Sequence, residues 1–192
     1  MQLFYHSDIQ PMSLLVTFSK EESRHMVKVL RKKRGDQIHI TDGRGNLYLA
    51  EIVSDNDKKC EVQVLNSESK PDQKGYRLHV AIAPTKNNDR FEWFLEKSTE
   101  IGIDEITPIL CDRSERKKMN PERCEKVLLA AMKQSLKFSL PTLNPLQPLD
   151  DLLKNVESEA KLIAHCDEGE KKGLSVLVQN KSDMLVVDKI KP

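Results

Sequence analysis

With 192 residues, 38% of them hydrophobic, the chain has the mass for one large domain or two small ones, each with a buried core. Charged residues make up 32% of the sequence yet cancel to a net charge of +1, as in a soluble protein with a densely charged surface. No apolar run reaches the length of a membrane span, the first ten residues lack a signal peptide's regions, and the four cysteines and five histidines are scattered without metal-ligand spacing, so a membrane protein, a disulfide scaffold and a metal enzyme are all disfavoured and a cytoplasmic setting is expected.

The chain opens with the strand-like "QLFY". Ser19, with Glu22 three residues on, has the form of a capping box, and it predicts a helix carrying Met26, Val29 and Leu30 at helical spacing. The period then changes to two. Ile38 and Ile40, then Tyr48, Ala50 and Ile52, then Cys60, Val62 and Val64 mark three strands, the first two joined by the turn Asp42-Gly43-Arg44-Gly45. Short strands at this spacing predict a small β-barrel-like domain over 1–70, and the polar stretch 66–75, with Pro71 and Gly75, predicts a linker.

From this helix into the loop before the strands run Arg24, Lys28, Arg31, Lys32, Lys33 and Arg34, with no acidic residue among them. Such a run is in most proteins a solvated face. Immediately before a tight turn and a strand it is also a candidate edge for phosphate, which binds lysine and arginine through charge and counterion release.

From residue 76 the rhythm is that of an α/β domain. "YRLHVAIA" is a buried strand ending at Pro84, followed by a helix with Asp89 as its expected N-cap and Gly102 as its stop. "DEITPIL" is the next strand. A second helix starts at Asn120 and Pro121 and carries the apolar stripe Cys124, Val127, Leu128, Ala131 and Ser135. "AKLIAHC" and "DMLVVD" are two more strands, with a short helical segment near Leu174–Leu177 between them. Alternating strands and helices predict a mainly parallel sheet whose ligands sit beyond the carboxyl ends of its strands, and the segments there include the basic "APTKNNDR" and "CDRSERKK". Glycine-rich phosphate loops and hydrolase signatures are absent from the sequence.

Three stretches together carry a resemblance: "HMVKVLRKKRGDQIHITDG", "KNNDRFEWFLEKSTEIGIDEITPILCDRS" and "AAMKQSLKFSLPTL". The chain resembles the bacterial small-subunit ribosomal RNA uridine-N3 methyltransferases of the SPOUT class from about residue 3 to residue 187. The resemblance implies a PUA-like N-terminal barrel, a SPOUT-type α/β domain over 76–192, S-adenosylmethionine as methyl donor, small-subunit ribosomal RNA as partner, and a homodimer. It makes Arg24, Lys28, Arg31 and Lys33 an RNA-docking edge; Arg116, after a strand end of the α/β half, is an RNA contact or part of a charged loop. It also implies roles at the reacting base. Uracil N3 must lose its proton while charge spreads onto two carbonyl oxygens; Arg113 suits the carbonyls and Glu100 the proton, and Gln134 is either a packing residue or an amide reading the uracil edge. His165, at the end of a buried strand, is a candidate donor contact, although a satisfied core histidine is the commoner case. Trp93 is a helix residue or a stacking platform, and Glu100 a surface carboxylate paired with Lys97 or a cleft residue.

Family members continue past the strand aligned with "MLVV" into a Gly-Pro-Glu-Gly loop, a further strand and a final helix, whereas this sequence reads "VVDKIKP". The α/β domain is therefore expected to be truncated, lacking its C-terminal knot. Weak donor binding, a compromised dimer and exposed Val186 and Val187 are expected with it. A non-catalytic RNA-binding remnant is the alternative to the enzyme.

Overall fold

The computed structural model describes residues 1–11, 13, 15–71, 74–112, 114–164 and 173–188. They form two compact units, Met1–Asp72 with Met132–Leu140, and Gln73–Ala131 with Pro141–Pro192.

The first unit is the curled, mainly antiparallel sheet expected. Its strands are β1 (Leu3–Tyr5), β2 (Val16–Thr17), β3 (Gln37–Thr41), β4 (Asn46–Ser54) and β5 (Glu61–Ser69), in the spatial order β1-β3-β4-β5-β2. β1 runs parallel to β3 and the other pairs are antiparallel. Register shifts at Leu49/Ala50 and Ile52/Ser54 bend the long β4–β5 ladder, since a bulge increases local twist. Alternation places Ile38, Ile40, Tyr48, Ala50, Ile52 and Val62 in one core with Phe4, Phe18 and Met26. Fully burying each large member contributes roughly 1.5–3 kcal/mol. β5 continues to Ser69, opposite Asn46, so residues 66–69 belong to a strand and not to the expected linker. The polar side chains there are compatible with a strand because its end is solvated.

The helix after Ser19 changes type midway. α1 (Lys20–Arg24) is capped by the Ser19 hydroxyl, which accepts from the Glu22 N–H at 3.3 Å. The reciprocal half of the capping box is replaced, because the Glu22 carboxylate turns to the Lys133 ammonium at 2.7 Å. His25–Val29 then form a π-helical turn in which the Leu30 N–H donates to the His25 carbonyl at 3.0 Å.

In the second unit all paired strands are parallel. β6 (Arg77–Ile82), β7 (Glu105–Leu110), β8 (Thr142–Leu143), β10 (Ala160–Ala164) and β11 (Asp183–Asp188) lie in the order β10-β11-β6-β7-β8, and β9 (Gln147–Pro148) pairs with the far half of β7. The helices are α2 (Asn88–Ile101), α3 (Pro121–Gln134), α4 (Leu149–Asn155) and α5 (Leu174–Leu177). α2 starts earlier than expected, with Asn87 in place of Asp89 as N-cap and accepting from the Asp89 N–H at 2.9 Å, and it ends at Gly102 with φ 97° as expected. The Asn120 side chain accepts from the Arg123 N–H at 3.2 Å, and α3 buries Cys124, Leu128 and Ala131. β2, β8, β9 and α4 carry no strong periodic pattern and are visible only in the structure.

α4 supplies Leu152 to a core of Ala81, Ala83, Ile109, Leu185 and Val187 on one sheet face. This overturns the expectation that Val186 and Val187 lie open. β11 is hydrogen-bonded on both sides, by β10 and by β6, and Val187 is only 1% exposed. The apolar exposure falls instead on the outermost strand of the order, where Ile163 of β10 is 51% exposed.

Candidate functional site

The basic run of the first unit is built by the π-helical turn and the loop after it. Widening the helix to i→i+5 bonds adds a residue to the turn, a feature frequent at functional sites. Arg31 closes it with φ 56°, and the Lys32 N–H returns to the Met26 carbonyl at 3.0 Å. The next loop is anchored by the Asp36 carboxylate, which accepts from the Lys33 N–H at 2.9 Å, and by the Gly35 N–H donating to the Ile52 carbonyl at 2.8 Å. On this fixed backbone Arg24, Lys28, Arg31, Lys33 and Arg34 are all exposed. Among the described residues Lys28 is the one member of the run with a carboxylate in ion-pair range, Asp57 at 3.5 Å. A row of exposed cations on an ordered backbone can bind phosphates without first breaking internal pairs.

Gln134 ends α3 on an exposed position, and the segment Met132–Leu140 packs with the first unit. Leu136 takes φ 55° at the helix stop while the Lys137 N–H returns to the Met132 carbonyl at 3.1 Å. The segment then clasps the Asp42–Gly45 turn. The Gly45 N–H donates to the Phe138 carbonyl at 2.9 Å and the Leu140 N–H to the Gly43 carbonyl at 2.8 Å. A Cβ on Gly43 would sit 3.1 Å from the Tyr5 ring, which the positive φ of 73° makes doubly unfavourable. Asp42 holds the turn from inside. Burial pushes its carboxyl pKa up, but hydrogen bonds from the Asn46 side chain and the Arg44 and Asn46 N–H groups, with the Arg44 charge, outweigh this and hold it below the usual value.

At the carboxyl ends of the second unit's sheet, Ala83 and Pro84 are buried beyond β6 and the loop Thr85–Asn87 follows. Arg116 does not extend into solvent. Its Nε donates to the Thr85 carbonyl at 3.1 Å and its Nη2 to the Lys86 carbonyl at 2.7 Å. Arg113 and His165 lie outside the described residues. Glu100 sits on the last turn of α2, about 18 Å along the axis from the helix start. It accepts from Lys97 Nζ at 3.0 Å through both oxygens, and Lys97 also donates to Glu96 at 2.8 Å. The bonds to Glu96 and Glu100 raise the Lys97 pKa. α2 leaves the carboxyl end of β6 and returns to the amino end of β7, so Glu100 is separated from the loops at which ligands of such sheets sit. Trp93 is 63% exposed on the same helix.

A buried polar network that the sequence did not suggest occupies the amino end of this sheet. His79 is in register with Glu105, and its Nε2 lies 2.7 Å from the Thr107 hydroxyl. Asn144 Nδ2 donates to the same hydroxyl oxygen at 2.7 Å and to Glu105, and the Arg77 guanidinium donates to Glu105 as well. Burial pushes the His79 pKa down, opposed by the Glu105 charge. Among the described residues its Nδ1 is buried without a hydrogen-bond partner. Burial likewise pushes the Cys60 thiol in the first unit up to about 11, where it is inert.

The donor implied by the resemblance needs an apolar seat for adenine and polar groups for the ribose and sulfonium. Ala83 and Val187 at the strand ends are taken up by the core under α4, and the half-buried Asp188 carboxylate closes β11 as a group able to accept from ribose hydroxyls. Among the described residues no group of three or more His, Cys, Asp or Glu side chains could hold a metal ion. No described helix is long and apolar enough to cross a membrane.

A family model described as an RNA methyltransferase domain matches residues 72–187, and one described as an RNA methyltransferase PUA domain matches residues 18–65. A ribosomal RNA small subunit methyltransferase E of Bacillus subtilis is 26% identical over 159 residues, which is 80% of this chain and 62% of that protein. Its counterpart in a Buchnera aphidicola of Acyrthosiphon pisum is 27% identical over 156 residues, 77% and 61% of the two chains. Among solved structures, a probable rRNA methyltransferase from Porphyromonas gingivalis superposes with a TM-score of 0.89 at 36% identity, covering 98% of this chain and 79% of its own. A Neisseria gonorrhoeae ribosomal RNA small subunit methyltransferase E bound to S-adenosylmethionine shares the fold with a TM-score of 0.84 at 21% identity, covering 98% and 79%. The chain spans about three fifths of the length of the curated relatives it matches.

Proposed function

The chain belongs to the RNA methyltransferase family, and from that premise we propose that it acts in S-adenosylmethionine-dependent methylation of uridine N3 in small-subunit ribosomal RNA. The observation that carries the RNA half of this reading is the run of exposed cations at 24–34, held on an ordered backbone in the unit matched by the PUA model. Arg24, Lys28, Arg31 and Lys33 would bind phosphate, fixing the position of the RNA without reading its sequence. The bound donor would supply an electrophilic methyl group, with Asp188 at the end of β11 as a candidate acceptor for its ribose hydroxyls.

The acceptor chemistry sets what the protein's own groups must do. Uracil N3 is nucleophilic only once its proton leaves, and the resulting charge lies mostly on two carbonyl oxygens. We assign Arg113, in the segment after β7, to those oxygens, and Gln134 to the uracil edge. His165 remains our candidate contact to the donor. A proton acceptor is also required. Glu100 would have to leave Lys97 to serve, and it stands on the last turn of α2, away from the carboxyl ends of the strands. The reading therefore gives the proton to solvent or to a group outside the described residues.

Incubating the protein with methyl-labelled S-adenosylmethionine and small-subunit ribosomal RNA, then digesting the RNA to nucleosides, tests this. Label in N3-methyluridine is expected. Label in a different nucleoside overturns the assigned position, and no label overturns the activity. A homodimer in the cytoplasm is part of the same proposal, and sedimentation of the purified protein checks its oligomeric half.

A further inference from the structure

We propose that Arg116 is a positioning residue: it holds the loop after β6 so that Lys86, and not Arg116 itself, presents its charge to the RNA backbone. This rests on the proposed RNA binding and departs from the role that the sequence suggested for Arg116. The guanidinium fork reaches two successive carbonyls, Thr85 at 3.1 Å from Nε and Lys86 at 2.7 Å from Nη2. Two more bonds fix the same loop. The Thr85 hydroxyl donates to the Asn87 carbonyl at 2.7 Å, and the Asn87 side chain accepts from the Asp89 N–H at 2.9 Å. The backbone of residues 85–87 is thus tied on every side, while the Lys86 side chain is 83% exposed.

The ammonium of Lys86 has one carboxylate in range among the described residues, Glu115 at 3.8 Å and itself 57% exposed, a pair too long and too solvated to compete with a phosphate. The loop lies at the carboxyl end of β6, on the side where parallel sheets bind ligands. A cation on a rigid backbone loses less entropy on binding than one on a free loop, so bracing the loop adds affinity without adding a contact. Lysine could not replace the brace. It has the charge of arginine but a single nitrogen, which cannot span two carbonyls in a fixed fork.

That difference makes the proposal testable with Lys86→Ala, Arg116→Lys and the double variant, using purified small-subunit ribosomal RNA as the probe across a salt series. Lys86→Ala is expected to lower the slope of log affinity against log salt by about 1. Arg116→Lys keeps the net charge and is expected to weaken binding several-fold, with the double variant no weaker than Lys86→Ala, because the two residues act through one contact. Trypsin should cut after Lys86 faster in Arg116→Lys than in the unsubstituted protein, at an unchanged thermal midpoint. Wild-type binding by Arg116→Lys, additive losses in the double variant, or unaltered trypsin resistance would each overturn the proposal. Should Arg116→Lys fail to fold, Thr85→Val removes one loop bond and carries the same expectations at smaller size. If the unsubstituted protein binds no RNA, the proposed function falls and Lys86's role with it; the trypsin measurement then still decides whether Arg116 braces the loop.

Discussion

The basic run at 24–34 of the first unit and three arginines of the second differ in whether the protein itself holds their charge. In the first, Arg24, Arg31, Lys33 and Arg34 stand in solvent with no carboxylate in ion-pair range among the described residues, on a backbone ordered by the π-helical turn and Asp36. In the second, Arg116 is tied to two backbone carbonyls, Arg77 to Glu105 and Asp183, and Arg123 to Glu92. What separates them is whether the nearest acceptor belongs to the protein or has to be supplied by a partner. A cation without an internal acceptor gains from binding a phosphate; one already holding carbonyls must first give them up.

The largest effect expected from this contrast is on RNA binding. Replacing both Arg31 and Lys33 by alanine should weaken binding by about tenfold or more at moderate salt and reduce the salt slope by about 2, since each phosphate contact contributes roughly one unit. The thermal midpoint should not move, because neither side chain is buried. Titrations of the RNA at several salt concentrations decide it, and an unchanged slope would return the run to a solvated face.

A smaller effect is expected where polar groups are internally satisfied. Thr107→Val keeps the shape of a buried residue but removes the hydroxyl shared by His79 and Asn144. Leaving such partners unsatisfied should cost about 1–3 kcal/mol in urea unfolding, with RNA affinity per folded molecule unaltered.

The same network predicts a pH dependence of known sign. An unfolded histidine binds its proton near pH 6.5, and burial makes the folded His79 ring bind it more weakly. Protonation therefore favours the unfolded chain. The stabilising contribution is complete above about pH 6.5 and is lost as the pH falls below it. Urea midpoints measured from about pH 8 to about pH 5 should fall for the unsubstituted protein, and less steeply for His79→Gln.

The smallest change is at Leu136, which holds a left-handed conformation that favours glycine. Leu136→Gly should raise stability by up to about 1 kcal/mol, the relief of backbone strain exceeding the added freedom of the unfolded chain. A loss of stability would show that the half-exposed leucine side chain contributes more than its backbone costs.

Periodicity alone determined most of the architecture. Alternation at Ile38–Ile52 and Cys60–Val64, and the largely apolar runs at 76–83 and 184–187, specify strands because the pleat and the buried parallel sheet each demand one pattern. Gly102, Asn120 and the Asp42–Gly45 turn were equally legible, since their backbone geometry selects their residue types. The tertiary structure decided what local pattern cannot carry. Two-residue strands such as β8 and β9 are too short to show a period, and they form because β7 offers them a ladder. Asn87 displaced Asp89 as the cap because the helix began where the loop left β6. Glu22 left its capping box for Lys133, a residue more than a hundred positions away in sequence. The roles of individual charges were the least legible. Whether an arginine is free or held depends on which carbonyls and carboxylates the fold brings within about 3 Å of it, and that distance is set by packing between segments remote in sequence.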